Sequence, residues 1–324
     1  MIAGPAGGER VRTVFLGSGT FGAPALRGLH AHPSIDIVGI VTAPDRPVGR
    51  RQVLTATPIG TLAAGLGLAP VLTPVRLRAQ EAIAAVLALR PDLAVLADYG
   101  QVVPPALLDL PHGALNLHPS ALPRFRGASP IPATILAGDD ATAVTLMRMD
   151  EGLDTGPIVA QEGVVLAGNE TAPELEVRMA ELAAGLLLRS LGAWLAGTLV
   201  ARPQAGDGMT LTRPLRREDG RLDASLPATT LERQVRAYLP WPGTFLEIDE
   251  ERLVVTAAST APSEPGDVPG RMVRHQDRPA LVTADGRLVL DAVTPTGRPP
   301  MSGADYLRGR RAPARTSAVP GSSG

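Results

Sequence analysis

The chain has 324 residues, 44% of them hydrophobic, and a formal net charge of −1. That is enough chain for two cores and too little positive charge for a global attraction to nucleic acid or an anionic membrane. It contains no cysteine, which excludes disulfides, thiolate nucleophiles and cysteine metal sites.

In chain order, residues 1–10, "MIAGPAGGER", lack the charged start and apolar centre of a signal peptide and read as a flexible extension. Beyond them the short β-branched runs "VRTVFLG", "IDIVGIVT", "DLAVLAD" and "GALNLH" alternate with the helical segments "APALRGLHAH", "PIGTLAAGLG" and "AQEAIAAVLALR". This alternation predicts an α/β domain with a mostly parallel sheet covered by helices. The runs "AVTLMRMD" and "PIVAQEGVVL" predict two further strands flanking a loop, and a helix is expected from Pro173 to Ala196. That helix includes "MAELAAGLLLRSLGAWLAG", whose Glu181 and Arg189 mark it as amphipathic or buried rather than membrane-spanning. With no membrane segment and no leader, a cytoplasmic protein is expected.

The catalytic-type domain is expected to run over 11–205. The stretch "GTLVARPQAGDGMTLTRPLRREDG" is rich in Gly, Pro and Arg and has no periodicity, so a linker is placed at 206–220. Over 221–312, one helix in "PATTLERQVRAY" is followed by the short strands "TFLEI", "RLVVTAA", "GRMVRH", "ALVTA" and "RLVLDAV", the pattern of a small β-barrel or sandwich. The tail at 313–324 is poor in apolar residues and is expected to be disordered.

Four segments carry candidate chemistry. Gly17, Gly19 and Gly22 in "FLGSGTFG" match a dinucleotide-binding turn, but the second strand ends near Val41 without the acid that a ribose requires. A tight strand-to-helix turn explains the same glycines. In "LNLHPSALPRFRG", Asn116 and His118 are two apart in a strand and face one side at its carboxyl end, where ligands bind in such folds. The alternative is an end-of-strand histidine and an asparagine satisfied by nearby backbone. In "MDEGLDTG", Asp150 and Asp154 have the spacing of calcium ligands, but the closing glutamate is missing and no HExxH exists, so no metal is expected. An aspartate in such a loop can face a histidine on a neighbouring strand, favouring imidazolium and fixing its orientation. In "PDRPVGRRQVLTATP", Arg46, Arg50 and Arg51 sit on a shaped loop. With Arg124, Arg126, Arg213, Arg216 and Arg217 they are either solvated surface or parts of a phosphate-binding rim. All 31 basic residues are arginine, the side chain that grips phosphate with a two-pronged donor fork.

The segments "LNLHPSALPRFRGASPI", "MDEGLDTGPI", "YGQVVP", "PDRPVGR" and "YLPWPGTF" resemble, in order and spacing, the methionyl-tRNA formyltransferase family. The likeness runs from about residue 11 to 312. The Asn-x-His and LDTG pieces are shared by the wider group of 10-formyltetrahydrofolate-dependent formyltransferases. The resemblance implies a Rossmann-like formyltransferase domain followed by an OB-like barrel. It assigns catalysis to Asn116, His118 and Asp154, folate contact to Ser120, Ala121, Leu122 and Pro123, and tRNA contact to Arg46, Arg50, Arg51, Arg216 and Arg217. It implies 10-formyltetrahydrofolate as cosubstrate, initiator methionyl-tRNA as partner, no metal and no membrane; nothing in the sequence demands an oligomer, and a monomer is expected. Two departures stand out: "RRQVL" replaces the family's usual lysines, and Ala121 makes the turn "SALP" rather than "SLLP". The rivals are a formyltransferase of an amino sugar nucleotide or other small amine with the same trio, a nicotinamide-dependent dehydrogenase, and a non-catalytic RNA-binding protein.

Overall fold

The structure, a computed structural model, describes residues 10–49, 51–248 and 251–309. The amino-terminal extension up to residue 9, Arg50 and the tail from residue 310 lie outside the described residues. Two compact units form. The first takes the chain up to Pro130, Ala141–Val165 and Leu175–Arg213; the second takes Ile131–Asp140, Leu166–Glu174 and the chain from Pro214.

The first unit follows the expected alternation: β1 (Val11–Leu16), α1 (Ala23–Ala31), β2 (Ile35–Val41), β3 (Arg46–Val48), β4 (Val53–Thr55), α2 (Pro58–Gly65), β5 (Val71–Leu72), α3 (Gln80–Ala88), β6 (Leu93–Ala97), α4 (Pro105–Leu108), β7 (Ala114–His118) and β8 (Arg126–Gly127). After α5 (Pro130–Ala137), which from Ile131 onward belongs to the second unit, come β9 (Ala141–Arg148), β10 (Ile158–Val165), α6 (Ala172–Leu195), whose first residues through Glu174 also belong to the second unit, and β11 (Leu211–Thr212). Seven strands form one sheet in the order β10-β9-β7-β6-β1-β2-β5. The strands from β7 to β5 run parallel, while β9 is antiparallel to both β7 and β10. The central strands are apolar on both faces, as strands covered on both sides must be: Leu93–Ala97 is buried throughout.

Local chemistry sets the helix starts. Thr57 caps α2 by accepting from the Gly60 N–H at 3.0 Å, and Pro58 sits where its missing N–H costs nothing. The 24-residue α6 buries Leu175, Met179, Ala183, Leu187 and Leu191 completely. That stripe recurs every fourth residue, the spacing that puts side chains on one helix face. Arg189, on another face, pairs with Glu162 on β10. No helix among the described residues is long and apolar enough to cross a membrane.

The second unit has α7 (Ala228–Ala237), then β12 (Thr244–Ile248), β13 (Glu251–Ala261), β14 (Met272–His275), β15 (Arg278–Val282), β16 (Arg287–Pro295), β17 (Met301–Ser302) and α8 (Gly303–Arg308). Its strands pair antiparallel in the order β12-β13-β16-β15-β14, with β17 on β16, giving a half-barrel. Leu231 and Val235 of α7 enter its core beside Val255, Leu288 and Leu290.

One buried charge cluster fastens this sheet. The side chain of Arg287 is 6% exposed; its Nε and Nη2 donate to the Asp267 carboxylate at 2.8 and 2.6 Å, and its Nη1 lies 2.6 Å from Glu264. These bonds from Arg287, with the Glu264 N–H, hold the Asp267 carboxyl below its usual range. A depressed folded-state value stabilises above the unfolded value and is lost as pH falls through the folded one. Asp267→Ala should therefore lower the unfolding free energy at neutral pH by about 3 kcal/mol, because it leaves Arg287 buried beside a half-exposed partner. Urea titration checks this, and the gap between wild type and variant should shrink as pH drops below the ordinary aspartate range.

Candidate active site

Strand β7 ends at the site. Asn116 and His118 project to one side, as their spacing predicts, and His118 is only 4% exposed. The third member arrives from the loop between β9 and β10. Asp154 there adopts φ 51°, a left-handed conformation that aspartate tolerates better than most residues. Its Oδ1 lies 3.4 Å from the Asn116 amide nitrogen, and its Oδ2 lies 3.7 Å from His118 Nδ1. The same Oδ2 accepts the Gly127 N–H at 2.8 Å. The other imidazole nitrogen, Nε2, sits 2.9 Å from the Phe125 carbonyl. A carbonyl can only accept, so Nε2 carries a proton.

The loop after β7 is held from beneath. Thr145 on β9 stands opposite His118, and Gln161 on β10 stands opposite Thr145. Thr145 Oγ1 donates to the Ser120 carbonyl at 2.6 Å, and Gln161 Nε2 donates to the Leu122 carbonyl at 3.2 Å. Ser120 is fully buried and gives its hydroxyl to the Arg124 carbonyl at 2.6 Å; Leu122 is buried as well. The turn therefore presents half-buried Ala121 and Pro123 at its surface, while Ser120 and Leu122 face inward.

Further along, β8 pairs with β11, contributed by the Gly- and Pro-rich stretch after α6. A Cβ on Gly127, which has φ 102°, would stand 2.2 Å from the Thr212 carbonyl oxygen. Gly156 is pressed closer still, its Cβ position 1.9 Å from the Arg148 carbonyl. Arg126 points back into the protein: its Nε and Nη2 donate to Gln204 Oε1 at 3.0 and 2.6 Å. Gln204, Thr145 and Gln161 were outside the sequence expectations, since a lone amide or hydroxyl carries neither period nor motif. Only the strand register could have suggested Thr145.

Asp150 is consumed within its loop, accepting from the Gly152 N–H at 3.1 Å and the Thr155 hydroxyl at 2.6 Å. No three-residue cluster suited to a metal exists among the described residues. The glycine-rich turn also has a packing role. Cβ atoms on Gly17 and Gly22 would meet the Ala97 carbonyl at 2.7 and 3.0 Å, and one on Gly19 would overlap the Asp98 carboxylate at 1.6 Å. Asp98 lies at the surface in crowded surroundings. Burial, with Glu176 second, raises its carboxyl above the usual range.

The arginine loop is the hairpin of β3 and β4. Arg46 and Arg51 are exposed on it beside Val53 and Leu54, which are 59% and 69% exposed. Arg50 is outside the described residues. In the second unit, Arg216 and Arg217 are exposed at the start of a short 3-10 turn.

An α/β domain with a mostly parallel seven-stranded sheet, followed in the chain by an antiparallel half-barrel, is the architecture that carries these residues. Residues 11–191 match the formyl transferase family and residues 214–311 match the formyl transferase C-terminal domain. A methionyl-tRNA formyltransferase of Chloroflexus aggregans is 41% identical over 94% of this chain and 98% of its own length. One from Myxococcus xanthus is 39% identical over 94% and 96%. The chain belongs to the methionyl-tRNA formyltransferase family. Its fold also resembles that of an N-formyltransferase of Helicobacter canadensis, crystallised with folinic acid and dTDP-3-aminofucose, with a TM-score of 0.62 and 14% identity over 86% and 98% of the two chains. The family uses a formyl-tetrahydrofolate as its donor.

Gly127→Ala should force β8 away from β11 and withdraw the N–H that orients Asp154. A displacement of about 1 Å at such a site costs roughly 10² in rate. Single-turnover formyl transfer, with circular dichroism as a control on folding, measures it.

Proposed function

We propose that this chain transfers the formyl group of 10-formyltetrahydrofolate to the free α-amine of initiator methionyl-tRNA, and that Asn116, His118 and Asp154 carry the reaction. The product, N-formylmethionyl-tRNA, starts translation, which places the enzyme in the cytoplasm. The observation that carries this reading is the Asp154 carboxylate. It lies beside both the Asn116 amide and the His118 ring although 38 residues separate it from Asn116.

The amine lone pair adds to the formyl carbon, the carbonyl oxygen takes up negative charge, and the carbon–nitrogen bond to the folate breaks as a proton passes from the amine to the leaving nitrogen. The Asn116 amide directs one N–H to Asp154 and keeps its second for the developing oxyanion. The Phe125 carbonyl at Nε2 and the Asp154 carboxylate 3.7 Å from Nδ1 fix the His118 ring beside the reacting atoms, and its Nε2–H, turned from Phe125 to the oxyanion, would stabilise that charge and assist proton movement. Asp154 orients the ring.

The turn fits a folate as an apolar wall formed by Ala121 and Pro123, with Ser120 and Leu122 fixing its shape from inside. Ala121 makes that wall shallower than a leucine would. On the tRNA side, Arg46 and Arg51 of the hairpin, Arg50, and Arg216 and Arg217 of the second unit provide phosphate contacts. Exposed Val53 and Leu54 suit apolar contact with sugar or base. The amino-sugar alternative draws on likenesses of fold at 14% to 20% identity, whereas the tRNA reading draws on 41% identity along nearly the whole chain.

His118→Ala and Asp154→Asn should each lower single-turnover transfer by roughly 10² to 10³, the usual range for groups that stabilise an oxyanion. Near wild-type rates in both variants would remove the assignment. A second measurement separates the substrates: neutralising Arg46 and Arg51 together should weaken tRNA binding and flatten its salt dependence by about one unit per lost phosphate contact. An enzyme for a small amine would keep its affinity and show no change in salt slope.

A further inference from the structure

Gln204 belongs to the irregular stretch that leaves α6, and it is half-buried. Two backbone bonds between Arg202 and Ile158, at 2.7 and 2.8 Å, dock this stretch against the first residue of β10. From there the Gln204 side chain reaches the loop that carries Asp154. Its Nε2 donates to the Asp154 carbonyl at 2.7 Å and to the Gly156 carbonyl at 2.8 Å. Its Oε1 accepts both bonds from Arg126, the residue next to Gly127, whose N–H holds the Asp154 carboxylate.

One amide thus grips the backbone on either side of Thr155 and, through Arg126, the strand that presents the Asp154 acceptor bond. All its hydrogen-bonding capacity is used, two donors against two carbonyls and one oxygen against a guanidinium. Asp154 occupies a left-handed conformation at φ 51°, which the chain does not adopt unaided at no cost. The fixed carbonyls of residues 154 and 156 hold it there. Gln204 contacts neither Asn116 nor His118, and the contacts described give it no part in folate or tRNA binding.

We propose that Gln204 is a positioning residue for formyl transfer: it locks the loop so that the Asp154 carboxylate faces His118, and it sets the chemical rate rather than substrate affinity. The inference rests on the role given to Asp154 above. Glutamate is the sharpest probe, because it keeps the length and the Arg126 contact but sets a carboxylate against two carbonyl oxygens. Methionine keeps the length and removes every polar contact.

Steady-state and single-turnover formylation are measured for Gln204→Glu, Gln204→Met, Asp154→Asn and the double variant Gln204→Glu/Asp154→Asn, with urea unfolding as a control. The expected result is a kcat lower by roughly 10- to 100-fold in Gln204→Glu, the scale of a small misplacement in a reacting site. KM for both substrates should stay within about twofold of wild type. Once Asp154 has lost its charge there is little left to position, so the glutamate substitution should add almost nothing in the Asp154→Asn background. Wild-type kcat in both Gln204 variants overturns the inference, as does a loss that multiplies in full with that of Asp154→Asn. If one variant unfolds, the other carries the kcat and KM comparison. A near wild-type Asp154→Asn instead removes the role of Asp154 itself, so the two failures are told apart.

Discussion

The site depends on bringing one carboxylate out of water and against a strand end. The Asp154 side chain is 13% exposed, and a carboxylate so placed is stable only with hydrogen-bond donors and positive charge around it. It has the Gly127 N–H at 2.8 Å, with the Asn116 amide and the His118 ring close by. Each neighbour places its own demand on the chain. Gly127 must allow β11 within 2.2 Å of where its Cβ would be, and Gly156 must allow the Arg148 carbonyl closer still. Side chains at either glycine would push the loop outward and part the carboxylate from the imidazole.

The two strands that depart from the parallel pattern are what make this approach geometrically available. Because β9 runs antiparallel to β7, its Thr145 lies directly across from His118, and Gln161 of β10 lies across from Thr145. The row of three polar side chains continues the face on which the histidine stands. It supports the Ser120–Pro123 turn through bonds to the Ser120 and Leu122 carbonyls. The hairpin between the same two strands then returns the Asp154 loop to that face. A further parallel strand in place of β9 would need a crossover connection and would leave no short loop at this position.

The fold and the strand half of the site were legible because they follow from periodicity. Alternating apolar runs mark the sheet, and two residues two apart at a strand end must share a face. That an aspartate of "MDEGLDTG" can face a strand histidine is legible in the residues, but the choice of Asp154 over Asp150 came from the family likeness, since nothing local tells where each carboxylate will lie. Gln204 shows the limit of sequence reading. It stands in "ARPQAGDG", a stretch without period and full of turn formers, and its partners are two backbone carbonyls and an arginine 78 residues earlier. Backbone carbonyls have no sequence identity, so a side chain that recognises them leaves no trace in spacing or motif.

Two identical-looking signals in the sequence part company in the structure for the same reason. The string "GSGTFG" has the glycines of a nucleotide turn, yet they accommodate the Ala97 carbonyl and the Asp98 carboxylate, so close packing within the protein accounts for them. Among the arginines, Arg46 and Arg51 stand exposed to solvent on a hairpin. Arg126 has committed two of its donors to Gln204. In a chain with arginine as its only strong base, composition cannot separate recognition from architecture. The partner of each guanidinium does: a protein acceptor within hydrogen-bond distance turns the charge inward to hold a loop, and open water leaves it free to select a polyanion.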